Sequence, residues 1–190
     1  FHIADLDRFE LANMNRQAGA MVGTIGRPKV DVLRDMAREI NPEIRIETFG
    51  DGVSEGNLDR FLAEVDLFVD GLDFFVLDVR RAVFARCASL GIPAITAAPL
   101  GMGTAYLVFA PGGMTFEEYF RFDGLSAEQQ YVNFLVGLAP RPMHLSYLVD
   151  RSRVDLAGRR GPSTGAACRL CAGVVATEAV KLLLRRGRVR

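Results

Sequence analysis

The stretch from Ile3 to Lys29 constrains this chain more than any other. A short apolar run closes on acids at Asp5-Leu6-Asp7. An amide and arginine cluster follows at Asn13-Met14-Asn15-Arg16-Gln17, and Gly26-Arg27-Pro28-Lys29 opens a helical pattern. In open α/β sheets ligands gather at the carboxyl ends of the strands, where an acid accepts hydrogen bonds from ribose hydroxyls. Arginine grips phosphate as a planar fork and lysine as a point charge. The arrangement is that of a nucleotide site in which a carboxylate holds a ribose and two cations hold phosphates. It points to ATP chemistry rather than generic α/β packing.

The rest of the chain supplies a frame for such a site. Residues 1–7 read as a buried strand and 8–26 as irregular. A helix fits 28–40, with Val30, Leu33, Ala37 and Ile40 on one face, Pro28 in its first turn and Asn41-Pro42 as its stop. Ile44–Phe49 alternates as a strand, Asn57–Val65 reads as a short helix, and Leu67–Asp70 as a strand ending in acid. Leu77–Leu90 is helical and closes at Gly91, and Pro93–Ala97 and Ala105–Phe109 are strands. Strand and helix in alternation predict an α/β fold, a Rossmann-like parallel sheet with a mixed edge and helices on both faces. Residues 112–165 read as one excursion with a short helix near 127–136. A last helix at 166–186 carries an apolar stripe of Val174, Ala176, Val180, Leu183 and Leu184. At 190 residues one domain accounts for the whole chain.

Composition narrows the function. Hydrophobic residues make up 49% and the net charge is +0, which disfavours disorder and bulk attraction to nucleic acid, and no apolar run reaches the roughly 18–20 residues that a membrane helix needs. Three cysteines are too few for a disulfide scaffold, so a reducing cytoplasm is the expected setting. Phe1-His2-Ile3-Ala4 reads as the inside of a strand, so the chain is expected to be an N-terminally truncated piece.

Taken singly, each candidate has a plainer reading. Asp5 is also what a solvated turn carboxylate looks like, Arg16 and Lys29 resemble ordinary surface cations, and Asp73 suits a helix cap as well as Mg²⁺. Together they match a known pattern. Asp5-Leu6-Asp7, Asn13-Met14-Asn15-Arg16-Gln17, Val22-Gly23, Gly26-Arg27-Pro28-Lys29, Asn41-Pro42, Asp70-Gly71-Leu72-Asp73 and Gly91-Ile92-Pro93 resemble the E1-like activating enzymes. That family comprises ThiF, MoeB and the adenylation domains of ubiquitin-activating enzymes. The resemblance is strong over 1–111 and returns at Glu178, Ala179, Lys181 and Leu182.

The resemblance implies roles residue by residue. Asp5 binds the ATP ribose, Asn13, Arg16 and Lys29 contact the phosphates, Gln17 supports the same loop, and Asp73 binds Mg²⁺. It implies that the C-terminal carboxylate of a ubiquitin-like or sulfur-carrier protein attacks the α-phosphate of ATP. It also implies a homodimer, and a glycine-rich loop and a donated arginine upstream of Phe1. Zinc is not expected: Cys168 and Cys171 form one pair within the last helix, residues 114–120 lack the other, and one pair does not complete a tetrahedral site. Cys87 reads as core, and the aromatic cluster Phe116, Tyr119, Phe120 and Phe122 as packing over the sheet.

Competing readings remain open at this level. The same site would serve an E1-like enzyme that adenylates a non-protein carboxylate or a tRNA base, for which Arg151, Arg153, Arg159 and Arg160 supply a local basic patch. A nicotinamide-dependent oxidoreductase explains Asp5 but gives Arg16, Lys29 and Asp73 no task. A non-catalytic E1-like scaffold is the third.

Overall fold

A computed structural model describes residues 1–141, 143–147 and 163–186. Contacts divide the chain into two compact units, Phe1–Val65 and Asp66–Arg190. The basic positions Arg151, Arg153, Arg159 and Arg160 lie outside the described residues.

The first unit is built on two parallel strands, β1 (His2–Ala4) and β2 (Glu47–Phe49), with Ala4 opposite Phe49. A parallel pair needs a crossover, and α1 (Lys29–Ile40) provides it. Both strands are shorter than the alternation predicts. After β1 the carboxylate of Asp5 accepts the Asp7 amide at 2.9 Å and turns the chain out of the sheet. Before β2 the Asn41 side chain accepts the Glu43 amide, so residues 41–44 form a turn instead of strand. The helix begins one residue after Pro28, which sits at its N-cap. Its inner face is Val30 and Val32, while Leu33 and Ile40 of the expected apolar face look outward. The expected helix over 57–65 is only α2 (Leu58–Phe61), because Glu64 takes a positive φ of 56° that no helix accommodates. Phe49 and Phe61 meet edge to face at 5.2 Å and join Phe9 and Leu62 in the buried core.

The second unit holds β3 (Phe68–Asp70), α3 (Leu77–Leu90), β4 (Ala94–Leu100) and β5 (Gly103–Phe109). β3 and β4 are parallel, whereas β5 turns back antiparallel to β4. Gly101 causes the reversal. Its φ of 60° meets the demand of a two-residue hairpin for a positive φ at the first central position. α3 stops at Gly91, whose φ of 69° forms the left-handed cap.

The expected excursion after residue 112 contains more order than the single helix foreseen. α4 (Phe116–Phe120) and α5 (Ala127–Leu138) each open with a reciprocal capping box, Thr115 with Glu118 and Ser126 with Gln129. Their aromatics enter the core as expected. Phe116 stacks on Phe84 at 4.3 Å, Phe120 on Phe122 at 5.4 Å, and all four are buried. Only Tyr119 stays at the surface, donating its hydroxyl to the Gly137 carbonyl at 2.9 Å.

α6 (Gly165–Leu183) packs against β4 and β5, but not through the expected stripe. Val180, Leu183 and Leu184 are each more than half exposed, and the inward row is Ala167, Cys171 and Glu178. Small residues let the helix lie close to the sheet, and Lys181 satisfies the buried Glu178 with two bonds of 2.8 Å. No described helix is long and apolar enough to cross a membrane.

Candidate functional site

The site in the first unit starts where β1 ends. The Asp5 amide donates to the Phe49 carbonyl at 3.3 Å, which places Asp5 at the carboxyl end of the parallel pair. Two backbone bonds then tie the strand exit to the entry of α1: Phe9 N–H to the Arg27 carbonyl and Gly26 N–H to the Phe9 carbonyl. Gly26 adopts a φ of 83° here, a left-handed conformation that glycine enters without strain. In consequence Lys29, the first residue of α1, lies against Asp7. Its amide donates to the Asp7 carbonyl at 3.0 Å and its Nζ to Asp7 Oδ2 at 2.8 Å, with Asp5 Oδ2 at 3.8 Å.

Lys29 is only 7% exposed. A buried ammonium at a helix N-terminus faces the positive end of the helix dipole, an unfavourable place for a cation. Asp5 and Asp7 offset both costs. Their side chains keep 34% and 58% of their exposure, so the counter-charge stands between the lysine and solvent. A group of this kind can exchange one anionic partner for another without opening the core.

Asn13, Arg16 and Gln17 form a second cluster in the same unit. Asn13 is buried, and its Oδ1 accepts the Glu10 amide at 3.0 Å. Its carbonyl accepts the amides of Arg16 at 3.1 Å and Gln17 at 2.9 Å, so one turn holds all three. The half-buried Arg16 donates to the Ala12 carbonyl at 2.7 Å and to Asn15 Oδ1 at 3.0 Å. Among the described residues it makes no ion pair, and no hydrogen bond joins this turn to the Asp5–Asp7–Lys29 cluster.

Asp73 belongs to the second unit, on the turn after β3. It is exposed, its Oδ1 accepts the Phe75 amide at 3.0 Å, and its carbonyl accepts the Val76 amide at 3.0 Å. Mg²⁺ is held by one or two carboxylates together with phosphate oxygens. An exposed carboxylate with one oxygen engaged by a backbone amide fits that donor set.

Sequence reasoning missed Asp7's part in holding Lys29 and missed Arg80 altogether. Arg80 is 2% exposed and pairs with Asp70 at 2.7 Å, while Asp70 also accepts from Thr96 Oγ1 at 2.7 Å and from the Leu72 amide at 3.0 Å. A signal was present. Helical spacing puts Arg80 on the same face as Leu77, Val83, Phe84 and Cys87, where a cation needs an anion, and Asp70 closes the preceding strand.

The cysteines are set apart from this chemistry. Burial pushes the Cys87 thiol up to about 12 from 9.0, which leaves it un-ionised and inert at neutral pH. Cys168 is half-buried near the start of α6 and Cys171 is buried. Among the described residues no three metal-ligating side chains converge.

The sequence model described as the ThiF family matches residues 1–190. The chain belongs to the ThiF family. Within it, the chain is 32% identical over 107 residues to the molybdopterin-synthase adenylyltransferase of Escherichia coli, covering 56% of this chain and 42% of that enzyme. It is 29% identical over 109 residues to the sulfur carrier protein ThiS adenylyltransferase of the same organism, covering 57% and 43%. The stretch shared with these curated relatives is thus less than half of their length. The solved structure of PaaA superposes over all of this chain and 49% of its own with a TM-score of 0.68 at 18% identity, a likeness of fold. The ThiF-family fold accounts for the mixed sheet and for the helices around it.

Proposed function

We propose that this chain carries the nucleotide site of an ATP-dependent adenylyltransferase that activates the C-terminal carboxylate of a ubiquitin-like or sulfur-carrier protein. The observation that carries the reading is Lys29. A buried ammonium at a helix N-terminus, its cost offset by two part-exposed carboxylates at a strand's carboxyl end, is placed to exchange those carboxylates for the oxygens of a phosphate. Membership of the ThiF family and the similarity to two sulfur-carrier-type adenylyltransferases support it.

In this reading Asp5 accepts from the ribose hydroxyls. Lys29 exchanges Asp7 for phosphate oxygens, and Arg16 joins it from the turn that Asn13 and Gln17 hold. Asp73 would hold Mg²⁺, which would supply positive charge against the phosphates. A carboxylate oxygen of the carrier attacks the α-phosphorus, the bond to the bridging oxygen breaks, and pyrophosphate leaves with that electron pair, producing an acyl-adenylate. The nucleophile is already ionised, so no general base is needed. Positioning and charge stabilisation carry the catalysis. The working enzyme is a homodimer in the reducing cytoplasm.

The test is exchange of labelled pyrophosphate into ATP by the full-length protein with Mg²⁺ and a panel of carriers. The expected result is exchange that requires a carrier with a free C-terminal carboxylate and disappears in Asp73→Ala. ATP binding without exchange for any carrier would overturn the carrier assignment. It would direct attention to small carboxylates, tRNA or a scaffold role.

A further inference from the structure

Among the described residues of the second unit, Arg80 is the most completely bonded charged group. From its place on α3 its Nε donates to Asp70 Oδ2 at 2.7 Å and its Nη2 to the Leu72 carbonyl at 2.6 Å. Its Nη1 makes two longer contacts of 3.4 Å, to the carbonyls of Phe74 and Val76. Its guanidinium lies 4.7 Å from the centre of the Phe134 ring on α5. The three carbonyls alternate along the turn on both sides of Asp73. The guanidinium therefore reaches that turn before and after the carboxylate that projects from it. Asp70, bonded to Thr96 on β4, fixes the clamp to the sheet.

This geometry is more than charge neutralisation. Asp70 alone would satisfy the positive charge, and a lysine would do that as well. Only a planar fork with five donors meets a carboxylate and several backbone carbonyls at once. Among the described residues the Asp73 side chain makes a single hydrogen bond, to the Phe75 amide of the same turn. Its direction thus depends on the turn, and the turn depends on Arg80.

We infer that Arg80 is a positioning residue: it holds the Leu72–Val76 turn so that Asp73 presents its carboxylate to the metal of the nucleotide complex. The inference rests on the proposed function for Asp73's role, not for the clamp itself.

The test compares full-length wild-type protein with Arg80→Lys and with the charge-free double variant Asp70→Asn/Arg80→Gln, which guards against a fold that fails for want of charge balance. Three quantities are read. The first is hydrogen exchange of the Phe75 and Val76 amides in metal-free protein. The second is Mn²⁺ affinity of the protein–ATP complex, titrated by paramagnetic resonance. The third is the Mg²⁺ concentration for half-maximal pyrophosphate exchange. Partners that orient a metal ligand typically change metal affinity about 10–100-fold when removed. For Arg80→Lys the expectation is native circular dichroism, faster exchange of both amides, and Mn²⁺ affinity lowered about tenfold. The KM for ATP at saturating metal should be nearly unchanged. Faster amide exchange with wild-type Mn²⁺ affinity in either folded variant would reduce Arg80 to a structural clamp and overturn the inference. A wild-type protein that shows no pyrophosphate exchange refutes the proposed activity instead, and the amide and Mn²⁺ readings still decide the role of Arg80.

Discussion

Among the described residues each unit buries one cation beside a parallel strand pair, Lys29 in the first and Arg80 in the second, and the two are held in opposite ways. Arg80 lies in the second unit with a partner, Asp70, whose side chain is 1% exposed, and its remaining donors go to backbone carbonyls. Lys29 lies in the first unit with partners that face solvent, at the helix end where its charge is least welcome. A cation saturated by buried groups has nowhere else to go and serves to hold a turn. A cation held by part-exposed carboxylates can trade them for another anion. The difference separates a residue that builds a site from one that uses it, although both appear in the sequence as a basic residue near an acid.

The largest expected effect tests the first half of that contrast. Arg80→Met leaves Asp70 buried without a counter-charge and should cost about 3–5 kcal/mol in urea unfolding. A loss below about 1 kcal/mol, the range of exposed pairs, would show that the Arg80 pair is worth no more than a surface contact. The second half predicts a split in the other direction. Lys29→Met should leave stability within about 1 kcal/mol, because a dipole-disfavoured cation and a part-exposed pair are lost together. In the same variant, pyrophosphate exchange should fall by about 10²–10³ through loss of charge stabilisation. A variant that unfolds but keeps its specific exchange rate would reverse the assignment.

Packing extends the contrast at smaller magnitude. Gly137 faces Phe120 so closely that an added methyl group would overlap the ring. Gly137→Ala should therefore cost about 1–3 kcal/mol by overpacking. Gly26, which meets nothing within 4 Å, should lose stability on substitution only through its positive φ. The smallest effect is in alkali. The Cys87 thiol is raised to about 12 in the folded protein from 9.0, so its contribution is complete below pH 9.0 and disappears as pH climbs toward 12. Stability should decline over that window, and Cys87→Ala should flatten the decline. Parallel alkaline limbs in urea midpoints would show that another group is responsible.

Much of the frame was legible in the residues. The helix Leu77–Leu90 and its Gly91 cap follow from periodicity and from the one residue that enters a left-handed cap freely. α4 was legible too, through Thr115 and Glu118, but the glycine-rich flank at 112–113 obscured it. The stripe on α6 was misjudged for a physical reason: periodicity finds an apolar face without saying which face the sheet takes. Here the sheet takes the row of Ala167, Cys171 and Glu178, and Leu183 and Leu184 turn outward.

The sequence by itself carried the ThiF-family pattern, the order of strands and helices up to residue 111, and, through that resemblance, the candidate residues Asp5, Asn13, Arg16, Gln17, Lys29 and Asp73. Those are properties of residue type and spacing along the chain. Only the tertiary structure decided that Lys29 is buried against Asp7, that Asn13 holds a turn, and that Arg80 grips the segment bearing Asp73. Burial and ion pairing depend on which distant segments meet. Asp7 and Lys29 come together when the exit of β1 closes against the entry of α1, and Asp70 and Thr96 when β3 and β4 pair. No local pattern encodes the outcome of that meeting.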